Sequence, residues 1–416
     1  MSGAKQLYDE RVKIIEDSVA LKIPKRVPNC TRATLYPYFE YGVKLSDASS
    51  DFEAATEAYV KYHREFAPDI AGSISLSSLF PSRIFELLEP KCVRWPGDPK
   101  GLDENSPYQF LEYPTLLDDE YDEFLNDTAG FCIRKYLPRI YESFEPLSEL
   151  DFVGVATGLW GAPLKFFLSP GMRDFYKKMT AAGEEMDRYN AAIEKCDKTL
   201  KEMGFPSFNG GNSNAAFDML GDGLRGTFGI MPDIYDNPGY IRKCCELFVK
   251  RQIKNSLENF KKSKIKYQWV NLHKGSEEFI SDEHFKEFYW PYLKRWIHGL
   301  IEEGCVPVLW CEGIYTKRLP YLTEVPPGKV VYYFEKIDLK EAKKILGGTA
   351  CIMGGYPHDL LLNGTPGQIK DKVKEVMDIA APGGGYLFSL SYAMADPICR
   401  ANVEALFEAV SQYGKY

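Results

Sequence analysis

The sequence predicts one large (β/α)8 barrel with an irregular N-terminal extension. From residue 267 onward, short β-rich runs alternate with helical patterns in units of roughly 20–40 residues, as in successive βα units. Each β-rich run is almost continuously apolar, which is typical of strands buried on both faces of a parallel sheet. No glycine-rich phosphate-binding sequence follows any of these runs, and this favours a barrel over a doubly wound sheet. The length of 416 residues fits one barrel with additions.

The predicted elements set the expected domain boundaries. Strands are predicted at Tyr267–Leu272, Val306–Cys311, Lys329–Phe334, Ala350–Gly354 and Tyr386–Leu390, with an earlier one at Phe152–Ala156. Helices are predicted at Asp282–Glu303, Asp338–Leu346, Pro366–Ala380 and Pro397–Gln412. We therefore expect the barrel in residues 151–416. Residues 1–150 are expected to form an extension that caps the barrel mouth, within one integrated domain.

Composition excludes several classes of partner. The chain has 51 Lys and Arg against 59 Asp and Glu, and the net charge of −8 gives no electrostatic footprint for nucleic acid. The N-terminus shows no secretory pattern, and the longest apolar stretch is too short and too interrupted for a membrane span. We expect a cytoplasmic protein whose ten cysteines are thiols or metal ligands rather than disulfides.

Two charged segments stand out from this background. Leu111–Asp127 is rich in carboxylates and is expected to be a solvated surface. Arg242–Lys266 is rich in Lys and Arg, with apolar residues at helical spacing. It predicts an amphipathic helix whose basic face is either simply soluble or a docking face for an acidic protein.

The carboxyl ends of the predicted strands carry the candidate functional residues, because a barrel places its chemistry there. These residues are Asn271, His273 and Lys274 after the first run, Cys311 and Glu312 after the second, and His358 and Tyr392 after the last two. The remaining histidines lie in helical patterns, where packing or surface roles are commoner.

Two of the ten cysteines are candidates for a metal site. Cys311 and Cys351 lie on separate predicted strands, and thiolates are strong zinc ligands. With Glu283 they would leave a fourth coordination position for substrate, as a catalytic zinc requires. A buried cysteine is more often a small apolar side chain, however, and the other eight are expected to be that.

The C-terminal half resembles the uroporphyrinogen decarboxylase superfamily over about residues 150–416. The resemblance rests on ISDEHFKEFYWPYLKRWI (280–297), EEGCVPVLWCEG (302–313), ACIMGGYPHDLLLNGTPGQIKDKVKEVMD (350–378) and YLFSLSYAMADPICRANVEALFEAV (386–410), with GLWGAPLKFFL (158–168) similar to an early segment of the family. It implies a TIM-type barrel and a cytoplasmic enzyme.

Within that superfamily, the resemblance is to the corrinoid-linked zinc methyltransferases. The arginine-rich segment that grips the carboxylates of uroporphyrinogen is replaced by PKRVPNCTRATLYPYFEYG, and Asn271 aligns with the decarboxylases' aspartate. The coenzyme M subgroup carries an H-x-C pair, whereas this chain has Leu309 before Cys311. The spacing of Glu283, Cys311 and Cys351 is instead similar to the acidic–Cys–Cys motif of ether-cleaving methyltransferases, with Asp282 as the alternative acidic ligand.

The resemblance implies transfer of a methyl group from a methyl ether, most simply an aryl one, to the Co(I) corrinoid of a separate protein. Zinc on Glu283, Cys311 and Cys351 would activate the ether oxygen. His273, Tyr392 or His358 would donate a proton. Asn271, Lys274, Trp160 and Glu312 would contact the substrate, and related barrels often pair as homodimers.

Three other functions stay open. A methyl-corrinoid:thiol methyltransferase of the coenzyme M type would use zinc to activate a thiolate. A decarboxylase of the uroporphyrinogen type and a metal-free binding module are the remaining alternatives.

Overall fold

A parallel sheet in the C-terminal half organises the chain. The computed structural model describes residues 3–77, 79–151, 157–158 and 161–416. The strands in these residues are β1 Val93–Arg94, β2 Gln109–Phe110, β3 Asn212–Asn214, β4 Tyr267–Leu272, β5 Val306–Ile314, β6 Val331–Lys336, β7 Cys351–Gly354 and β8 Tyr386–Leu387. β1 and β2 form an antiparallel pair, and β3 to β8 form a six-stranded parallel sheet in sequential order. This order is the one expected of successive right-handed βα units.

Helices connect and cover these strands. In the N-terminal part they are Gly3–Val19, Tyr36–Glu40, Leu45–Ala48, Phe52–Phe66, Ser82–Leu88, Tyr121–Asn126, Thr128–Phe131, Leu137–Ile140, Gly161–Phe167 and Pro170–Glu202. In the C-terminal part they are Ala216–Leu220, Gly226–Asp236, Pro238–Ser263, Asp282–His284, Trp290–Glu302, Leu319–Leu322, Leu339–Leu346, His358–Asn363, Pro366–Ala380 and Arg400–Tyr413. π-helical turns at Cys132–Tyr136, Gly221–Arg225 and Phe285–Tyr289, and 3-10 turns at Ile74–Leu76, Glu142–Glu149 and Thr316–Arg318, complete the set. None of the helices in this described part combines the length and apolar character needed to cross a membrane.

Two N-terminal segments continue the sheet beyond β8. Cys30 N donates to Phe388 O at 2.8 Å, and Asn29 forms a parallel bridge with Phe388. Asp69 N donates to Asn29 O at 2.8 Å, and Ala71 bridges Ser207, just before β3. Six strands and two bridged segments make the eight positions of a (β/α)8 barrel.

Both segments precede residue 150, so the strand positions of the barrel extend across the predicted domain boundary. The N-terminal segments are short and polar, so they lack the apolar signal of a buried strand. They reach the sheet through single backbone bridges, which leave no periodic pattern in the sequence. The predicted strand Phe152–Ala156 lies outside the described residues.

The predicted C-terminal elements are confirmed in kind, but β8 covers only Tyr386–Leu387 of the predicted Tyr386–Leu390, and a π-helical turn interrupts the predicted Asp282–Glu303 helix. β4 begins and ends where predicted, and so does the Pro366–Ala380 helix, which a Thr365–Gln368 capping box starts. β5 continues three residues beyond its predicted end, to Ile314. The basic amphipathic helix is Pro238–Ser263, somewhat earlier than Arg242–Lys266.

Alternate residues of each strand pack into different cores. Trp269, Val308, Tyr333, Met353 and Leu387 belong to one cluster, which fills the inside of the sheet. The larger cluster lies between the sheet and its helices. It contains the neighbours of these residues along each strand: Val270, Leu309, Phe334, Ile352 and Phe388. The two-residue period of a strand therefore decides which side chains face the barrel interior.

Gly354 ends β7 in a backbone conformation that requires glycine. Its φ is +93°, and a Cβ there would lie 2.6 Å from Phe334 O. We expect Gly354→Ala to lower the free energy of unfolding by roughly 2 kcal/mol or more, from left-handed strain plus steric displacement of β6. Urea unfolding measures this change. Gly348→Ala, where a Cβ meets nothing within 4 Å, is the matched control and should differ little from the wild type; equal effects of the two would contradict the prediction.

Candidate active site

The inward positions at the carboxyl ends of β4 and β5 bring titratable and aromatic groups together. Asn271 belongs to the inward set of β4, and His273 follows it two residues later. Trp310 and Glu312 are the corresponding positions of β5, paired beside β4. The rings of His273 and Trp310 lie 6.5 Å apart, and Trp310 also packs against Tyr333 and Tyr392. The predicted residues Asn271, His273 and Glu312 therefore share this end of the barrel.

An aspartate that the sequence analysis missed orients His273. Asp222 lies on the π-helical turn Gly221–Arg225, and its Oδ2 is 2.7 Å from His273 Nδ1. Its other carboxylate oxygen lies 2.8 Å from Lys274 Nζ. Lys274 is buried and also donates to Thr227 Oγ1 at 3.0 Å. Asp222 thus pairs with both members of the predicted His-Lys sequence.

A second missed aspartate fixes the backbone that carries these two side chains. Asp218 is completely buried and accepts hydrogen bonds from the backbone N–H groups of His273, at 2.8 Å, and Lys274, at 3.0 Å. The Tyr289 hydroxyl donates to the same carboxylate at 2.7 Å. The signal available in the sequence was the pair Asp218 and Asp222, one helical turn apart directly after β3. Their four-residue spacing puts both carboxylates on one face of a helix.

The electrostatics of the site favour a protonated His273. Burial lowers the pKa of the His273 imidazole, but the hydrogen bond to Asp222 and the charges of Asp218, Asp222 and Glu312 raise the pKa above its ordinary value. Burial opposes ionisation of Asp222, yet hydrogen bonds from His273 and Lys274 lower the pKa of Asp222 overall. Both shifts favour the charged forms of the pair, with Nδ1 lying against Asp222 and Nε2 on the side of Glu312.

Two other carboxyl groups near His273 have raised pKa values, which favour their neutral, protonated forms. Burial, followed by the charge of Asp222, raises the pKa of Asp218 to about 7. Burial also raises the pKa of Glu312, whose Oε2 lies 3.7 Å from His273 Nε2. Carboxyl groups with raised pKa values beside a histidine are typical of acid–base sites.

His358 and Tyr392 lie at the neighbouring part of the barrel mouth. His358 Nε2 lies 2.9 Å from Asp396 Oδ2, and the His358 and Tyr392 rings are 6.2 Å apart. Both line a cavity of about 570 Å³ together with Glu335 and Ser391. Tyr392 also contacts Trp310 at 5.6 Å between ring centroids, so it joins this cavity to the surroundings of His273. The predicted contact residue Trp160 lies outside the described residues.

The three predicted zinc ligands do not meet. Cys311 belongs to the cluster between sheet and helices, whereas Cys351 belongs to the cluster inside the sheet. Cys351 is paired with Val331 and Cys311 with Phe334, so the two also lie three residues apart along β6. Glu283 is exposed on the Asp282–His284 helix, and the alternative ligand Asp282 bonds Arg318 at 2.8 Å and Tyr321 at 2.7 Å. These residues cannot coordinate one ion.

The physical reason is the alternation of strand side chains. Trp310 and Glu312 point into the barrel, so Cys311 between them must point out. Burial raises the pKa of the Cys311 and Cys351 thiols, which opposes the thiolate form that a zinc ligand needs. Across the described ranges, no cluster of three His, Cys, Asp or Glu side chains is arranged to hold a metal ion.

We expect Glu283→Ala and Cys311→Ala to leave the metal content of the purified protein unchanged. Glu283→Ala should also leave the free energy of unfolding within about 0.5 kcal/mol of the wild type, because the side chain is exposed. Cys311→Ala should cost about 1 kcal/mol from the small cavity it leaves. Elemental analysis and urea unfolding measure both quantities. Loss of one equivalent of zinc in either variant would contradict this placement.

A ring of parallel strands with acid–base groups at their carboxyl ends is the arrangement of (β/α)8-barrel enzymes. The uroporphyrinogen decarboxylase family model matches residues 172–413, more than half of the chain, and the chain belongs to this family.

Individual relatives are distant. Uroporphyrinogen decarboxylases of Anaeromyxobacter dehalogenans and Azotobacter vinelandii are 27% and 26% identical over 136 and 139 residues. Each match covers 32% of this chain and 38% of the relative. A methyltransferase from Methanosarcina mazei has a similar fold, with a TM-score of 0.59 and 13% identity over 96% of this chain and 97% of its own. At that identity the likeness shows the fold alone.

Proposed function

We propose that this protein is a methyltransferase that moves the methyl group of an aryl methyl ether to the Co(I) corrinoid of a separate corrinoid protein. The observation that carries the proposal is the His273–Asp222 pair, which leaves the other imidazole nitrogen, Nε2, beside the aromatic side chains of the barrel mouth and raises the pKa of His273. Ether cleavage needs such an acid, because a phenoxide or alkoxide is a poor leaving group.

In this proposal His273 takes the role that the resemblance assigns to zinc. The methyl carbon is transferred to the nucleophilic Co(I), and the electron pair of the broken C–O bond stays on oxygen. The proton of His273 Nε2 passes to that oxygen and leaves a phenol and a neutral imidazole. Asp222 holds Nδ1 at 2.7 Å, which keeps the ring in the tautomer and orientation that this transfer needs.

The surroundings of His273 suit an aromatic donor. Trp310 lies beside the imidazole, and Tyr392 packs at 5.6 Å from Trp310. Tyr392 is 43% exposed, so the aromatic surface reaches the open end of the barrel. An arene between these rings would gain apolar and ring-stacking contacts. Its methoxy group would reach His273 Nε2 from the mouth, where a partner protein can approach.

A decarboxylase is the second candidate, favoured by the names of the two curated relatives. The charges near His273 argue against a polyanionic substrate. Lys274 is already paired with Asp222, and Glu312 adds a carboxyl group on the same side. A substrate with many carboxylates would meet more repulsion than attraction there.

The test is an anaerobic incubation of the protein with a reduced Co(I) corrinoid protein and a panel of methoxyarenes. The expected result is methyl-Co(III) absorbance together with an equal amount of the demethylated phenol. Two parallel arms offer methyl-Co(III) corrinoid with a thiol, and uroporphyrinogen alone. Methylated thiol or released CO2 without any ether cleavage would overturn the proposal in favour of the corresponding alternative, and no product in any arm would overturn it outright.

A further inference from the structure

We propose that the cavity between the β1–β2 ribbon and the helices Ser82–Leu88 and Pro170–Glu202 binds an aryl ring, and that the substrate carries a second aromatic ring beyond the one that bears the methoxy group. The connection to the methyl ether rests on the proposed function. The aryl-binding site itself rests on the cavity and its walls.

The cavity has an aromatic wall and no charged group. Its volume is about 520 Å³, which lies within the range of roughly 300–1,000 Å³ typical of small-molecule sites. The Phe80 ring lies 6.3 Å from that of Tyr189 and 5.1 Å from that of Phe85, and Phe85 lies 5.2 Å from Trp95, between centroids. None of the described side chains that line the cavity is charged. The chemistry of this wall therefore suits a neutral aromatic group.

The polar end of the wall is already used by the protein. The Tyr189 hydroxyl lies 3.3 Å from the carbonyl oxygens of both Ile74 and Leu79, to which it can donate. The Tyr189 ring, rather than a free donor, is then what a ligand meets. An aryl group against such rings gains offset-stacked and edge-to-face contacts in addition to the apolar area that it buries.

The β1–β2 ribbon carries this apolar surface toward His273. Val93 of β1 lines the cavity and is paired with Phe110 of β2, so Tyr108, which also lines the cavity, shares a face with Phe110. Two residues beyond Phe110, Glu112 lies 3.7 Å from Lys274 Nζ, and Lys274 pairs with the Asp222 that holds His273. The chain spans at most about 14 Å from Tyr108 to Glu112.

Exposed aromatic rings occupy the space between the cavity and the barrel mouth. Phe110 is 52% exposed although it lies on a paired strand, and Tyr108 is also exposed. Burial, followed by the charge of the nearby Tyr108, raises the pKa of Tyr392, so Tyr108 lies beside the aromatic group at the mouth. A contiguous exposed apolar surface of this kind is typical of a binding site. Two aryl rings joined by a short chain are of a length comparable to this span.

The cavity is a feature of this chain rather than of its family. All of the side chains that line it, except Tyr189, precede residue 172, where the match to the uroporphyrinogen decarboxylase family begins. The N-terminal extension therefore supplies a specificity-determining surface to a barrel whose mouth holds the reacting groups.

The test compares three neutral methoxyarenes: 4-methoxytoluene with one ring, 4-methoxybibenzyl with two, and the analogue of the latter with cyclohexyl in place of its unsubstituted phenyl. Binding to the full chain is measured by calorimetry, with no corrinoid present. We expect 4-methoxybibenzyl to bind at least about tenfold more tightly than 4-methoxytoluene, from burial of the second ring. It should also bind about 2- to 10-fold more tightly than the cyclohexyl analogue, from ring stacking. Equal affinity for the two larger ligands, or for all three, would overturn the aryl site.

Competition shows whether one ligand spans both places. An excess of 4-methoxytoluene should weaken the apparent binding of 4-methoxybibenzyl, because both place a methoxyaryl ring at the mouth. Undiminished binding would mean that the two ligands occupy separate sites, and this would overturn the two-ring substrate. Cleavage of 4-methoxytoluene does not require the cavity, so failure of the aryl site is distinct from failure of the proposed methyl transfer.

Variants locate the second ring. Ser75→Trp places an indole in the cavity from an exposed lining position and should abolish the tenfold advantage of 4-methoxybibenzyl. Tyr108→Ala should weaken 4-methoxybibenzyl binding by about 3- to 10-fold through loss of a ring contact. Ser411→Trp and Tyr235→Ala, at exposed positions outside the cavity, are the matched controls and should bind as the wild type does.

Thermal unfolding without ligand shows that each variant is folded. Tyr108→Ala alters an exposed side chain, so it tests the site even if Ser75→Trp does not fold. Unchanged affinity for 4-methoxybibenzyl in the folded variants would place its second ring elsewhere and overturn the assignment.

Discussion

Replacing His273 by asparagine is expected to lower kcat for ether cleavage by about 10²- to 10⁴-fold, the usual contribution of a positioned general acid. The substitution removes the imidazole that Asp222 contacts, while a polar side chain remains at a half-buried position. Single-turnover formation of methyl-Co(III) measures the change directly. His298→Asn, on a helix surface, is the matched control and should retain full activity.

The pH dependence gives this prediction a second readout. Only the protonated His273 can act as the acid, so activity should fall as the pH rises through the raised pKa of His273. Asp222→Asn removes the hydrogen bond that raises this pKa, and the fall should therefore move to lower pH. If the pH profile of Asp222→Asn matched that of the wild type, His273 would not be the acid.

Replacing Asp218 by alanine is expected to lower the free energy of unfolding by about 3–5 kcal/mol, because three buried donors would lose their acceptor at once. Two of these donors are the backbone N–H groups that hold His273 and Lys274 in place, and the third is the hydroxyl of Tyr289. Urea unfolding measures the loss. Asp338→Ala, which removes an exposed helix cap, is the comparison and should cost only about 1 kcal/mol.

Asp218 should also make stability depend on pH. Its pKa is raised from 3.8 to about 7 in the folded chain, so the folded state holds a proton there that the unfolded state releases. The resulting stabilisation is complete below about pH 4 and is lost as the pH rises through about 7. In Asp218→Asn this part of the pH dependence should disappear, and an unchanged profile would contradict the assignment.

The sequence predicted most accurately the elements that bury a regular set of apolar side chains, because the hydrophobic effect acts on that set. β4 and the Pro366–Ala380 helix could be placed to the residue, because a fully buried strand and a capped amphipathic helix leave strong local patterns. The segments at Asn29 and Ala71 could not, because each joins the sheet by a single bridge and carries no apolar run.

The residues of the candidate site also fall into two groups, those that the sequence predicted and those that it did not. His273, Lys274, Glu312 and Tyr392 could be named because they follow the ends of apolar strands. Asp218 and Asp222 were missed, since their partners lie more than 50 residues away in the chain. The zinc prediction was misled by spacing along the chain, which says nothing about the direction in which a side chain points.

The sequence by itself determined the fold class and the end of the barrel at which the chemistry lies, because both follow from hydrophobic patterns within short segments. Only the tertiary structure decided which side chains share that space. It turned Cys311 away from the barrel interior and Trp310 and Glu312 into it, and it paired His273 with Asp222. The physical reason is that a shift of one residue along a strand moves every side chain to the opposite face of the sheet. Which residues point inward is therefore settled only when the strands pair in one register.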